Sequence, residues 1–274
     1  MTDRYCVIGN PVAHSRSPAI HARFAAQCHQ DLSYEAILVP LDGFAAAVGD
    51  FAAAGGKGAN VTLPFKEEAF GLCSRRSARA ERAGAVNTLA FGRNEIFGDN
   101  TDGAGLVRDI EVNLGFPLAG RRVLLLGAGG AARGVIAPLL ERQPTGLFIA
   151  NRSGDKAETL AGQFSDLATV NAGNFAKTAS RTFDVVINAT SASLSGATLP
   201  LPAGIFASGS LAYDMMYGKG ETPFLALARE QGAARLADGL GILVEQAAEA
   251  FFVWRGVRPD SAQVLAELRE QLPA

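Results

Sequence analysis

The segment Val123-Leu-Leu-Leu-Gly127-Ala128-Gly129-Gly130-Ala131-Ala132-Arg133 runs from an apolar stretch into G-x-G-x-x-A and on into helix-forming residues. A strand, a glycine turn and a helix in that order suit a dinucleotide pyrophosphate. Gly127 permits the tight turn, Gly129 lets the backbone approach the phosphates, and Ala132 is small enough for the helix to pack on its strand. The helix start adds free N–H groups and the positive end of its dipole. Glycines alone are a weak signal; between a strand and a helix they are a strong one. An acidic residue about 20 positions further on would select a free ribose 2′-hydroxyl. Here the next apolar stretch, Leu147-Phe-Ile-Ala150, ends in Asn151-Arg152-Ser153, with Lys156 close by. A guanidinium, a hydroxyl and an ammonium suit a 2′-phosphate. The residues therefore predict NADP(H), with Asp155 the nearby carboxylate that weighs against it.

Three other segments place polar side chains beside turn residues. They are Asn10-Pro-Val-Ala-His14-Ser15-Arg16-Ser17-Pro18, Asn60-Val-Thr62-Leu-Pro-Phe-Lys66 and Asp99-Asn-Thr-Asp102-Gly103. The first two follow predicted strands, and ligands of open α/β sheets lie beyond strand carboxyl ends. The third falls at the predicted domain boundary, where clefts favour ligands. On spacing alone, Lys66 ahead of Glu67-Glu68 reads equally as a surface lysine, and Asp102 as a helix cap. Ser17-Pro18 reads as a cap followed by proline at the first helical position. His21 and His29 lie eight apart on one predicted helix, and no histidine is assigned catalysis or a metal. Cys6, Cys28 and Cys73 are odd in number and irregularly spaced, so they form neither a disulfide framework nor a metal set. They read as reduced thiols of a cytoplasmic protein.

The scaffold for these groups is an alternation of short apolar runs and helical patterns. Strands are predicted at 5–9, 34–39, 58–62, 85–91, 95–99, 122–127, 146–150, 183–188, 211–214 and 233–237. This rhythm predicts an α/β fold with mostly parallel sheets. Ten strands suit two sheets better than one, and 274 residues allow two domains. Phe91-Gly-Arg-Asn-Glu95 reads as a hairpin turn, placing an antiparallel pair in the first sheet. Leu106, Ile110 and Leu114, spaced by four ahead of Gly115, predict a connecting helix over 102–114. The boundary is therefore placed at 101, giving domains 1–101 and 102–237. Two further helices, 242–255 and 261–271, end the chain, and periodicity leaves open which domain they join. A net charge of −2 excludes a dedicated nucleic-acid binder. No run is long and apolar enough to span a membrane, and no secretory leader precedes the first strand.

Taken in order, the motifs resemble the shikimate/quinate dehydrogenase family. They are Gly9-Asn10-Pro11 with His14 to Pro18, Asn60 to Lys66, Gly84-Ala-Val-Asn87-Thr88, Asn100-Thr-Asp102-Gly-Ala-Gly105 and Gly127 to Ala132. Asn151-Arg152-Ser153, Asn188-Ala-Thr190-Ser191, Tyr213-Asp214-Met215 and Asp238-Gly239-Leu-Gly241 with Gln246 complete the set. Each motif is modest evidence; the ordered set, from residue 9 to 246, is specific. The resemblance implies NADPH-dependent interconversion of 3-dehydroshikimate and shikimate, in the pathway to chorismate and aromatic amino acids. It implies a substrate domain, a Rossmann-type doubly wound NADP domain, and C-terminal helices (238–274) returning to the first domain. Lys66 and Asp102 become the catalytic pair. Ser15, Ser17, Thr62, Asn87, Tyr217 and Gln246 become substrate ligands. The glycine turn (Gly127, Ala128, Gly129, Gly130, Ala131) and the adenosine loop (Asn151, Arg152, Ser153, Lys156) become cofactor ligands, joined by Thr190, Met215, Gly239 and Ile242.

The residue chemistry agrees. Hydride arriving at a ketone carbon leaves negative charge on oxygen, so a proton donor must touch that oxygen. Lys66 can stabilise the alkoxide and donate the proton, and Asp102 can orient the ammonium. Short hydroxyls and amides supply hydrogen bonds to a polyhydroxylated carboxylate without adding charge. The departures are small: Ser153 and Lys156 stand where the family often has Thr and Arg, and Ile242 where it often has Met. The competing readings are a quinate-active enzyme using NAD and a non-catalytic nucleotide sensor. The partners expected are the small-molecule substrate and NADP, with the chain a monomer or homodimer.

Overall fold

The computed structural model describes residues 2–271 apart from Lys219. By its packing the chain divides into two compact units, 1–106 with 243–268, and 107–242 with 269–274.

The first unit is built on a six-stranded sheet in the order β2-β1-β3-β5-β6-β4. Its strands are β1 (Asp3–Gly9), β2 (Leu32–Leu38), β3 (Gly56–Val61), β4 (Arg75–Arg76), β5 (Thr88–Phe91) and β6 (Ile96–Asp99). Only β5 runs against its neighbours, through the hairpin that Gly92 to Glu95 closes. Helices α1 (Ser17–Gln27), α2 (Phe44–Ala53), α3 (Lys66–Leu72) and α4 (Ala78–Ala83) intervene. Cys6, Ile8, Phe44, Phe51, Phe65 and Leu89 form a core between the sheet and these helices. The next helix, α5 (Asp102–Arg108), begins in this unit, and the long α9 (Leu240–Arg255) and α10 (Ser261–Glu270) lie largely in it.

The second unit holds β7 (Arg122–Leu126), β8 (Gly146–Ala150), β9 (Val170–Gly173), β10 (Phe183–Asn188), β11 (Phe206–Asp214) and β12 (Arg235–Ala237). All are parallel, in the order β12-β11-β10-β7-β8-β9. This is the doubly wound arrangement, and its order reverses between β7 and β10, where such sheets bind ligands. Helices α6 (Gly130–Glu141), α7 (Gly154–Gly162) and α8 (Pro223–Glu230) connect the strands.

Several sequence expectations need correction. The apolar pattern does not show strands β4 and β9, because β4 has two residues and β9 has one large apolar side chain. Strand β11 reaches back to Phe206 through an irregular register and Gly209, whose φ of +74° mimics a turn signal. Ser17 is not the α1 cap. Arg16 precedes the helix without a capping bond, and the Ser15 hydroxyl accepts from the Ser17 N–H at 3.3 Å. His29 lies beyond the helix end with φ +51°. The connecting helix becomes a wide π-turn over Asp109–Asn113, where buried Asp109 takes the Tyr213 hydroxyl at 2.6 Å. The units divide at 106/107 and 242/243 rather than at 101/102 and 237/238. The reason is that Asp102 bonds back into the first sheet, and a side chain on Gly105 would meet the Gln246 backbone at 2.6 Å. Lys66 and Asp102 thus share one unit, where the sequence had placed them in different domains.

Candidate active site

The first unit brings Lys66, Asn87, Asp102 and Gln246 together. Lys66 opens α3 and its carbonyl accepts from the Val86 N–H at 2.8 Å, so its backbone is fixed beside the residue that precedes Asn87. Asp102 opens α5, and its N–H donates to Asn100 Oδ1 at 3.2 Å. The Lys66 ammonium meets Asp102 Oδ2 at 2.5 Å, with the two side chains 13% and 8% exposed. A pair this secluded has a larger electrostatic effect than a surface ion pair.

Asn87 holds the other carboxylate oxygen. Its Nδ2 donates to Asp102 Oδ1 at 2.8 Å and to Thr101 Oγ1 at 2.9 Å. Its Oδ1 accepts the Thr101 backbone N–H at 2.9 Å. That N–H can only donate, so the amide has one allowed orientation, and the nitrogen must face Asp102. Gln246 Oε1 lies 3.3 Å from the same Asn87 nitrogen, while its own amide donates to Leu243 O at 2.8 Å. Behind Asn87, Thr88 Oγ1 donates to Asn87 Oδ1 at 2.9 Å, Asn60 Nδ2 donates to Thr88 Oγ1 at 3.1 Å, and the Tyr34 hydroxyl donates to Asn60 Oδ1 at 2.8 Å. The Ser17 side chain lies beside that Tyr34 hydroxyl. Asn60, Thr88 and Thr101 are buried. None was assigned a role from sequence, although all three sit inside the quoted motifs. Their signal would have been a run of short polar side chains on otherwise apolar strand ends.

The loop that carries Asp102 is braced from below. Asp99 accepts two bonds from the Arg79 guanidinium at 2.6 and 2.7 Å, and others from Ser77 Oγ and the Asn100 N–H. Burial alone would raise the Asp99 carboxyl, but Arg79 outweighs it and holds the group below its usual range. Ser15 and Thr62 are half-buried on the segments after β1 and β3. Thr62 N–H donates to Ile8 O at 3.0 Å, which joins the two segments. Tyr217 belongs to the other unit, after β11. His21 is fully buried and stacks on Tyr34 at 4.3 Å. Burial pushes its imidazole down to about 3, so it is a neutral packing group.

In the second unit the glycine turn has the form the sequence predicts. Gly127 has φ +113° and sits against the Ala189 backbone. Gly129 precedes α6, and a side chain there would meet nothing within 4 Å. Its bareness therefore serves no packing need, and the space is open to a ligand. Ala132, in the first turn of α6, is fully buried. Asn151 stands after β8 and donates to Ser153 O at 3.1 Å, while Arg152, Ser153 and Lys156 are exposed around the start of α7. Thr190 follows β10, Met215 follows β11, and Gly239 and Ile242 lie at the start of α9. The open cradle, free helix N–H groups and exposed cations fit a dinucleotide bearing a 2′-phosphate.

Three family models cover most of the chain. The shikimate dehydrogenase substrate binding domain matches residues 7–89, shikimate / quinate 5-dehydrogenase matches 111–196, and the shikimate 5'-dehydrogenase C-terminal domain matches 239–269. A shikimate dehydrogenase (NADP(+)) of Dechloromonas aromatica is 72% identical over the whole of both chains. The chain belongs to the shikimate dehydrogenase family. Among solved structures, an Ael1 enzyme from Pseudomonas putida is 54% identical, covers 97% of this chain and 98% of its own, and gives a TM-score of 0.90. A shikimate 5-dehydrogenase from Thermus thermophilus, crystallised with NADP(H) and shikimate, is 34% identical over 99% of this chain and 100% of its own, with a TM-score of 0.88. The shikimate dehydrogenase family thus accounts for both units, the parallel NADP-type sheet and the mixed sheet that carries Lys66.

Proposed function

We propose that this chain catalyses the reversible, NADPH-dependent reduction of 3-dehydroshikimate to shikimate, and that Lys66 and Asp102 carry its proton chemistry. The observation that carries the residue assignment is the secluded Lys66–Asp102 pair, its second oxygen fixed by Asn87. NADPH, when bound, supplies the hydride. As charge develops on the substrate oxygen, the Lys66 ammonium stabilises it and donates a proton; in the reverse direction the amine accepts one. Asp102 keeps the ammonium oriented and can accept from a substrate hydroxyl. Ser15, Ser17, Thr62, Asn87, Tyr217 and Gln246 hold the ring carboxylate and hydroxyls. Gly127 to Ala131, with Thr190, Met215, Gly239 and Ile242, receive the cofactor backbone and nicotinamide. Arg152, Ser153, Lys156 and Asn151 receive the 2′-phosphate end. A cytoplasmic place of work suits the free thiols of Cys6, Cys28 and Cys73.

The test is a steady-state assay with shikimate or quinate against NADP⁺ or NAD⁺, followed by the absorbance of the reduced nicotinamide. Shikimate with NADP⁺ is expected to give the highest kcat/KM. Preference for NAD⁺, or no turnover by folded protein, would overturn the reading.

A further inference from the structure

Asp214 ends β11 and is fully buried, so it cannot touch a ligand. Its carboxylate nevertheless collects four neutral donors from four places in the chain. Asn188 Nδ2 and the Met216 N–H donate to Oδ1, both at 3.0 Å. Ser193 Oγ and Thr222 Oγ1 donate to Oδ2 at 2.7 and 2.6 Å. Burial raises the carboxyl while these four bonds oppose the rise, and burial prevails.

What these donors are attached to matters more. Asn188 is the register partner of Asp214 on β10. Its Oδ1 accepts both the N–H and the hydroxyl of Thr190, at 3.0 and 2.7 Å, and its carbonyl accepts the Met215 N–H at 2.9 Å. The Thr190 N–H fixes the flip of the Asn188 amide, so the Asn188 nitrogen must point at Asp214. On the other side, Met216 O accepts the Gly239 N–H at 3.0 Å. Gly239 has no room for a side chain, because the Met215 carbonyl fills the space. One buried acid therefore sets Thr190, Met215 and Gly239 relative to one another, and the glycine turn packs on the same Ala189–Thr190 segment.

We propose that Asp214, acting through Asn188 and Met216, is the positioning residue that pre-forms the nicotinamide side of the cofactor cleft. The proposal rests on the NADP-dependent reading above. It concerns only the second unit and leaves the Lys66 cluster out. Sites pre-organised by buried, fully satisfied polar groups bind without an ordering cost.

The experiment compares Asp214→Ala, Asp214→Asn and Thr222→Val in the full chain. It reads KM for NADP⁺ and for shikimate, kcat, the Kd of NADPH alone by fluorescence, and Tm. Asp214→Ala is expected to raise the NADPH Kd and NADP⁺ KM about tenfold or more, a factor equivalent to 1.4 kcal/mol, with shikimate KM within about twofold. Asp214→Asn is expected to restore most of the loss, because its oxygen still accepts from Asn188 and Met216 and its amide can donate to either hydroxyl. If the alanine variant does not fold, Thr222→Val removes one donor to Asp214 together with the α8 cap that accepts from the Leu225 N–H; the lost cap lowers Tm, and the lost donor is expected to raise the same two constants about threefold, near the low end for one lost hydrogen bond. A fall in Tm with cofactor constants unchanged, equal rises in both KM values, or an asparagine variant no better than alanine would overturn the proposal. Wild-type protein that binds NADPH but does not turn over shikimate would instead overturn the functional reading, and the NADPH Kd would still decide the role of Asp214.

Discussion

Replacing Lys66 by methionine removes the ammonium while nearly preserving the shape of the side chain. The backbone does not depend on that ammonium, because Lys66 O is held by the Val86 N–H at 2.8 Å. Asp102 keeps its Asn87 bond at 2.8 Å and loses only the partner on Oδ2. Breaking a buried ion pair costs up to about 3–5 kcal/mol. Here the two side chains retain 13% and 8% exposure, so a cost of about 1–3 kcal/mol is expected. That is well within the roughly 5–15 kcal/mol of a typical folded domain, and the variant should fold. The rate is another matter. Losing a positioned proton donor costs about 10²–10⁴-fold, or roughly 3–5 kcal/mol of barrier. The assay is shikimate oxidation by NADP⁺ with kcat and KM resolved, alongside NADPH binding by fluorescence. The expected result is a fall in kcat of at least about 10²-fold with the NADPH Kd unchanged. A kcat near wild type would refute the assignment. So would a rise in shikimate KM at intact kcat, since that pattern belongs to a group that binds substrate and transition state equally.

Three other outcomes follow from the same geometry. Arg152→Ala should weaken NADPH far more than NADH, by about tenfold to a hundredfold for one lost charge-assisted bond; equal weakening in paired titrations would contradict the 2′-phosphate assignment. Gly129→Ala should leave Tm nearly unchanged, because a side chain there meets nothing within 4 Å, while NADPH affinity drops; a Tm loss with normal affinity would make the glycine a packing residue instead. His21, held near pKa 3 by burial against about 6.5 unfolded, binds its proton only when the chain unfolds. Its contribution is complete above pH 6.5 and declines as pH falls through the window between the two values. Urea melts at pH 7 and pH 5 should therefore show wild type losing about 2 kcal/mol more than His21→Phe, and identical losses would show that the buried imidazole titrates normally.

How much of this could be read from the chain depended on the range of each interaction. The glycine turn was legible because strand, turn and helix are contiguous, and local sterics dictate all three. The hairpin at 91–95 was legible for the same reason, whereas mostly parallel sheets were legible from the alternation of strands and helices. The Asp102 unit boundary was not. A helix start looks alike whichever domain it packs on, and what decides the matter is Asn87, fifteen residues away in the chain, bonding Asp102 into the first sheet. Periodicity also could not show the π-turn at Asp109–Asn113, where buried Asp109 accepts from a tyrosine 104 positions on.

The same distinction separates the site residues that sequence could name from those it could not. Lys66, Asp102 and Asn87 stand in motifs that a family resemblance can carry over. Asn60, Thr88, Thr101, Asn188 and Asp214 stand in the same motifs, yet short polar residues near strand ends are also what any turn requires. Burial is what tells the two uses apart. A polar group withdrawn from water costs free energy unless its partners are in place, and each of these five is buried with its partners made. The fold thus holds the proposed site side chains with further buried polar groups that fix their orientation, Asn87 through Thr101 and Thr190 through Asn188. A sequence displays both sets as identical-looking motifs, and only the packing shows which hydrogen bonds join them.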